Sequence, residues 1–69
     1  MSHLNTIIYR VVNRLEIVYN GDVERASKDS LWLQSIRNLD EYQRAWKDQS
    51  EEEVEQADLL YYKYAKYLT

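Results

Sequence analysis

Residues 4–28, LNTIIYRVVNRLEIVYNGDVERASK, decide between an all-helical chain and one built on a hairpin. Leu4, Ile7, Ile8, Val11, Leu15, Val18 and Tyr19 fall on one side of a helical wheel, with Asn5, Thr6, Arg10, Asn13 and Glu16 on the other. That is the pattern of an amphipathic helix from Leu4 to Tyr19. The competing pattern is a strand, because Ile7, Tyr9, Val11, Leu15 and Ile17 alternate, β-branched residues abound and Asn20-Gly21 is a strong hairpin signal. The next residues favour the helix: Asp22 to Lys28 shows no alternation and is made of good helix formers, so the hairpin would lack its second strand. Asn20-Gly21 then reads as the stop at the end of the first helix.

Asp22 is a suitable N-cap for a second helix from Val23 to about Asn38. Its apolar phase jumps, since Val23 and Ala26 lie on one face and Trp32, Leu33, Ile36 and Leu39 largely on another, so a kink or re-start is expected near Asp29 and Ser30. Asp40 with Gln43 forms a capping pair that would open a separate short segment, Glu41 to Lys47.

The last stretch, residues 50–69, reads SEEEVEQADLLYYKYAKYLT. Ser50 with Glu53 is a capping box, and Glu51 to Glu53 place negative charge at the positive end of the helix dipole while Lys63 and Lys66 sit near the other end. Val54, Ala57, Tyr61, Tyr64 and Leu68 recur at steps of three and four, a helical packing seam with Ala65 beside it and Leu60 and Tyr67 at its flank. Leu59 and Tyr62 fall outside the seam, among Glu55, Lys63 and Lys66. This helix is apolar around more of its circumference than one small core can cover.

Composition narrows the function. A 69-residue chain buries only about 60% of the surface its unfolded form exposes, so its core is thin. With no cysteine there is no disulfide staple and no thiol chemistry, and the chain reads as cytoplasmic. The absence of proline and the single glycine, Gly21, suit an ordered helical chain. Arg10, Arg14 and Glu16 interrupt the N-terminal apolar stretch well short of the ~18 to 20 residues of a membrane span, and no signal-peptide pattern is present.

Catalysis has a poor inventory. The one histidine is His3, with no second histidine and no cysteine to share a metal or activate a nucleophile. Glu51, Glu52, Glu53, Glu55 and Asp58 read as a solvated first turn rather than a metal cluster, because consecutive residues on a helix point in different directions. The expectation is a protein without catalytic residues, metal, cofactor or small-molecule substrate. Charge is uneven: residues 1–28 carry a balance of +1, residues 29–47 of zero and residues 48–69 of −4. Arg10 and Arg14, four apart on one helix, need a nearby anion, and the acidic start of the last helix is one available source.

A helix-turn-helix can be drawn with Ser30 to Arg37, a turn at Asn38-Leu39-Asp40, and Glu41 to Lys47 as the reading helix. The turn lacks glycine, acidic residues flank the reading helix, and a net charge of −3 opposes attraction to phosphate. A second nucleic-acid reading has the acidic cluster from Asp48 to Asp58 imitate a phosphate backbone and block a basic groove.

The aromatic residues give the stronger functional signal. Seven tyrosines and two tryptophans with no phenylalanine mean that every aromatic ring carries a polar handle, the chemistry of surfaces dry on one side and wet on the other. Tyr61, Tyr62, Tyr64 and Tyr67 cannot all share one face. The sequence therefore predicts one all-α domain over residues 1–69, a small three-helix bundle with a short fourth helical segment, completed by dimerisation or a partner. Its expected core includes Ile8, Val11, Leu15, Val18, Leu33, Ile36, Val54, Ala57, Tyr61 and Leu68. Its expected role is that of a regulator, inhibitor or chaperone-like adaptor that binds another protein or itself through Leu59, Tyr62, Lys66 and Tyr67.

Overall fold

The computed structural model of the chain describes residues 3–45 and 50–68. Among these, every regular element is helical, and the hairpin alternative has no strand to support it. Helix α1, His3–Asn13, buries Leu4, Ile7, Ile8 and Val11, the i, i+3, i+4, i+7 stripe of its sequence. The chain then widens into a π-helical turn, Arg14–Val18, in which the Tyr19 amide donates to the Arg14 carbonyl five residues back at 3.3 Å.

That wider turn corrects the expected register. Leu15 is buried as the pattern requires, but Val18 is 52% exposed, although the sequence places it in the core. A π turn takes one more residue to come round, so the inward position passes from Val18 to Tyr19, which is half-buried against the core. The stop follows as expected: Asn20 and Gly21 have φ of 53° and 80°, and the Gly21 amide closes onto the Leu15 carbonyl at 2.9 Å. These are the two residue types that enter the left-handed region most readily.

The expected break in the second helix is a complete one. Helix α2, Val23–Ala26, is a single turn capped by the Asp22 carboxylate, which accepts from the Arg25 amide at 3.4 Å. Helix α3, Ser30–Ala45, starts anew behind Asp29, whose Oδ1 accepts from the Leu31 amide at 2.9 Å. The separate segment expected at Glu41 to Lys47 is not separate: α3 runs through Asp40 and Glu41 to Ala45, and Trp46 and Lys47 lie outside the described residues. Burial explains the continuity, since Trp32, Ile36 and Leu39 are fully buried at steps of four and three and half-buried Tyr42 extends the same stripe. The same continuity removes the Asn38–Asp40 turn that a helix-turn-helix would need.

Helix α4, Glu51–Tyr64, begins at Ser50, whose hydroxyl oxygen accepts from the Glu53 amide at 3.2 Å as the capping pattern implies. It ends in a 3-10 turn, Ala65–Leu68. Helices α1, α3 and α4 pack together around one apolar cluster. The cluster includes five residues of the expected core, Ile8, Val11, Leu15, Ile36 and Ala57, with Leu33, Val54, Tyr61 and Leu68 half-buried around it. Its centre is Trp32, which sequence reasoning left out of the core: the indole N–H donates to the Val11 carbonyl at 3.2 Å, and the Tyr64 ring meets the indole edge-on at 5.1 Å. Burying the indole while satisfying its one donor removes the usual penalty on a tryptophan at the centre of a small core.

Candidate interaction surface

Two faces of α4 have opposite environments. Ala57 and Tyr64 are buried, and Val54, Leu60 and Tyr61 are half-buried on the same side. On the other side Leu59 is 67% and Tyr62 77% exposed, one helical turn apart. Glu51, Glu52 and Glu55 are exposed at the N-terminal end of the helix, and Lys66 is exposed beyond Tyr62. The Tyr62 ring stands edge-on to Tyr61 at 5.9 Å, so it is supported on its inner flank and open to solvent on the outer.

Of the four residues proposed from sequence to contact a partner, the structure exposes Leu59, Tyr62 and Lys66 and sets Tyr67 apart, half-buried against the core. The 3-10 turn accounts for this. With three residues per turn, side chains at i and i+3 eclipse, so Tyr67 follows the buried Tyr64. The Lys66 ammonium lies 5.3 Å from the Tyr67 ring centroid, so Lys66 lies between the outer face and the half-buried Tyr67.

Helix α1 contributes a second partly apolar surface. Tyr9 is 66% exposed and divides two grooves. One, about 600 Å³, runs between α1 and α4 past Ile8, Val12 and Gln56. The other, about 390 Å³, lies between α1 and α3 and is rimmed by Tyr9 and by Leu31, itself 64% exposed. Sequence reasoning missed Tyr9, Val12 and Leu31, although the test that singled out Leu59 applies to them: each is apolar and lies off its helix's buried stripe.

The most polar constellation is structural. Asp29 Oδ2 accepts from the Arg14 Nε–H at 2.6 Å and from the Tyr19 hydroxyl at 2.5 Å, while Oδ1 caps α3. The Tyr19 hydrogen bond, then that of Arg14 and the Leu31 amide, hold the Asp29 carboxyl down at about 2, against partial desolvation that pushes it up. The same hydrogen bond raises the Tyr19 phenol above its ordinary value. The sequence pointed to the acidic start of α4 as a countercharge for Arg14; the structure supplies Asp29 instead, because the π turn carries Arg14 and Tyr19 to the start of α3. A carboxylate with three donors and a side chain only 10% exposed is a clamp rather than an acid or base. No group of three or more His, Cys, Asp or Glu that could hold a metal occurs among the described residues, and no helix among them is long and apolar enough to cross a membrane. The chain matches no protein-family model, no curated protein and no solved structure.

Proposed function

We propose that this chain is a protein-binding module without catalytic activity, acting in the cytoplasm as a regulator, inhibitor or adaptor through the outer face of α4. One observation carries the reading: Leu59 and Tyr62 stand exposed on adjacent turns of a helix whose other face is already packed. A tyrosine and a leucine at i and i+3 form the anchor spacing of a helix laid into a groove, and tyrosine is enriched among residues that dominate binding energy. The neighbouring carboxylates supply a polar rim that fixes orientation more than affinity.

The test is affinity capture from the native host with the wild-type chain, Tyr62→Ala and Glu52→Ala, followed by purified binding measurements at low and high salt. Tyr62→Ala should lose roughly five- to thirtyfold in affinity, from the ~1 to 2 kcal/mol such anchors carry. Glu52→Ala should bind nearly as the wild type does. Unchanged binding by Tyr62→Ala would remove the proposed surface. Binding that collapses with salt and depends on Glu52 would instead favour an acidic mimic directed at a nucleic-acid-binding partner.

A further inference from the structure

We propose that the outer face of α4 docks head to tail into the α1/α3 groove of a second copy of this chain. The proposal rests on the assignment of that face as a binding surface and names one partner for it. The groove is walled by α1 and α3 and closed at one end by Arg14 of the π turn, with exposed Tyr9 and Leu31 on its rims and Arg10, Asn13, Gln34 and Asn38 between them. It continues past Arg10 and Asn38 toward Tyr42 through a smaller cavity of about 90 Å³. Among the described residues, no carboxylate lines either cavity.

Arg14, at one end, is held by Asp29. Arg10 is exposed and makes no ion pair among the described residues. A helix filling this groove should therefore present an apolar pair to the rims and a carboxylate to Arg10. The outer face of α4 carries that combination: Leu59 and Tyr62 one turn apart, with Glu55 four residues before Leu59 and Asp58 four before Tyr62. Like charges do not oppose the docking, since the chain's excess negative charge lies on α4 and its excess positive charge on the segment containing α1.

The geometry also sets the kind of assembly. Helix α4 packs on α1 and α3 from the core side, and its exposed face points away from them, so groove and docking face lie on opposite sides of the bundle. Two different patches on opposite sides pair heterologously, and such pairing extends instead of closing into a two-fold dimer.

Sedimentation velocity of the full chain from micromolar to millimolar concentration, at low and high salt, tests this. The expected result is an average mass that climbs past the dimer with concentration and falls back with salt. Arg10→Glu, which spoils the groove, and Leu59→Asp, which spoils the face, should each abolish association. Both positions are exposed, so both variants should keep their helical circular dichroism and melting temperature, and Tyr62→Asp serves as a second face variant. Mixed together, Arg10→Glu and Leu59→Asp should form a one-to-one complex and nothing larger, because one native groove and one native face remain between them. A wild-type chain monomeric throughout, a mass that stops at the dimer, or variants that do not complement each other would overturn the proposal. A foreign acidic helix that competes for the groove of a monomeric chain would likewise place a different occupant there. If the chain stays monomeric while Tyr62→Ala still loses its host partner, self-docking fails and the binding face stands. If Tyr62→Ala keeps that partner, the face itself is wrong.

Discussion

Tyr62 and Tyr64 lie two residues apart on α4 with identical side chains and opposite environments. Tyr64 is buried, edge-on to Trp32, in the cluster that joins all three long helices. Tyr62, turned to the other side of the helix, is mostly exposed and stands edge-on to Tyr61 on one flank. The contrast shows that composition alone does not assign a role to the tyrosines here. Rotation about the helix does, with one face holding the fold and the other exposed to solvent.

The sharpest way to break the comparison is at the centre of the packed side. Trp32→Ala should cost about 3 to 5 kcal/mol, the range for emptying a buried aromatic site. At roughly 0.05 to 0.15 kcal/mol per residue the whole domain has only about 3 to 10 kcal/mol, so this variant should lose its cooperative thermal transition by circular dichroism. A wild-type melting curve would show that the Trp32–Val11–Tyr64 contacts are not the keystone of the core.

The clamp at the α1 to α3 corner should matter less, and its effect is legible in pH. The Asp29 carboxyl lies at about 2 in the folded chain, against about 3.9 unfolded. Folding therefore favours its ionised form: the contribution is complete above about pH 4 and is lost as pH falls through 2. Tyr19 behaves in the opposite sense. Its phenol is raised by the same hydrogen bond, so its contribution is complete below about pH 10 and fades at higher pH. Asp29→Asn should cost on the order of 1 kcal/mol at neutral pH, since Arg14 is partly exposed and water screens the pair. It should also flatten the stability profile between pH 4 and 2, which denaturant titrations across that range would detect. A profile as steep as that of the wild type would assign acid sensitivity to other carboxylates.

Gly21→Ala sharpens the account of the helix stop. Gly21 has φ of 80°, and an added Cβ would meet nothing within 4 Å, so the whole cost is backbone strain of about 1 kcal/mol. A melting temperature unchanged from wild type would mean that the turn relaxes out of the left-handed region.

Much of this fold could be read from the residues because local signals agreed with one another. Asn20-Gly21, Asp22 and Ser50 each marked a boundary by a mechanism confined to a few neighbours, and the structure uses all three as the sequence implies. Leu59 and Tyr62 could be placed outward because the α4 seam was already filled. What escaped depended on tertiary context. The π turn at Arg14–Val18 has no local signature, so an unbroken α-helical wheel places Val18 inside and does not bring Arg14 to Asp29. The capping pair Asp40 and Gln43 suggested a helix start that burial of Ile36 and Leu39 overrides. The sequence places Tyr67 only at the flank of the α4 seam; the tightening of the last turn to 3-10 geometry, which sets it against the core behind Tyr64, has no local signal.

The measurement closest to the central claim sets Tyr62→Ala against Tyr64→Ala, with each variant scored for melting temperature and for capture of the wild-type chain's partner. The two-faced α4 predicts that Tyr62→Ala changes stability by no more than about 0.5 kcal/mol while binding is lost. Tyr64→Ala should instead cost about 3 kcal/mol or more through the emptied site beside Trp32. A Tyr62→Ala variant that unfolds, or a Tyr64→Ala variant that melts like the wild type, would contradict the division of this helix into a packed face and a binding face.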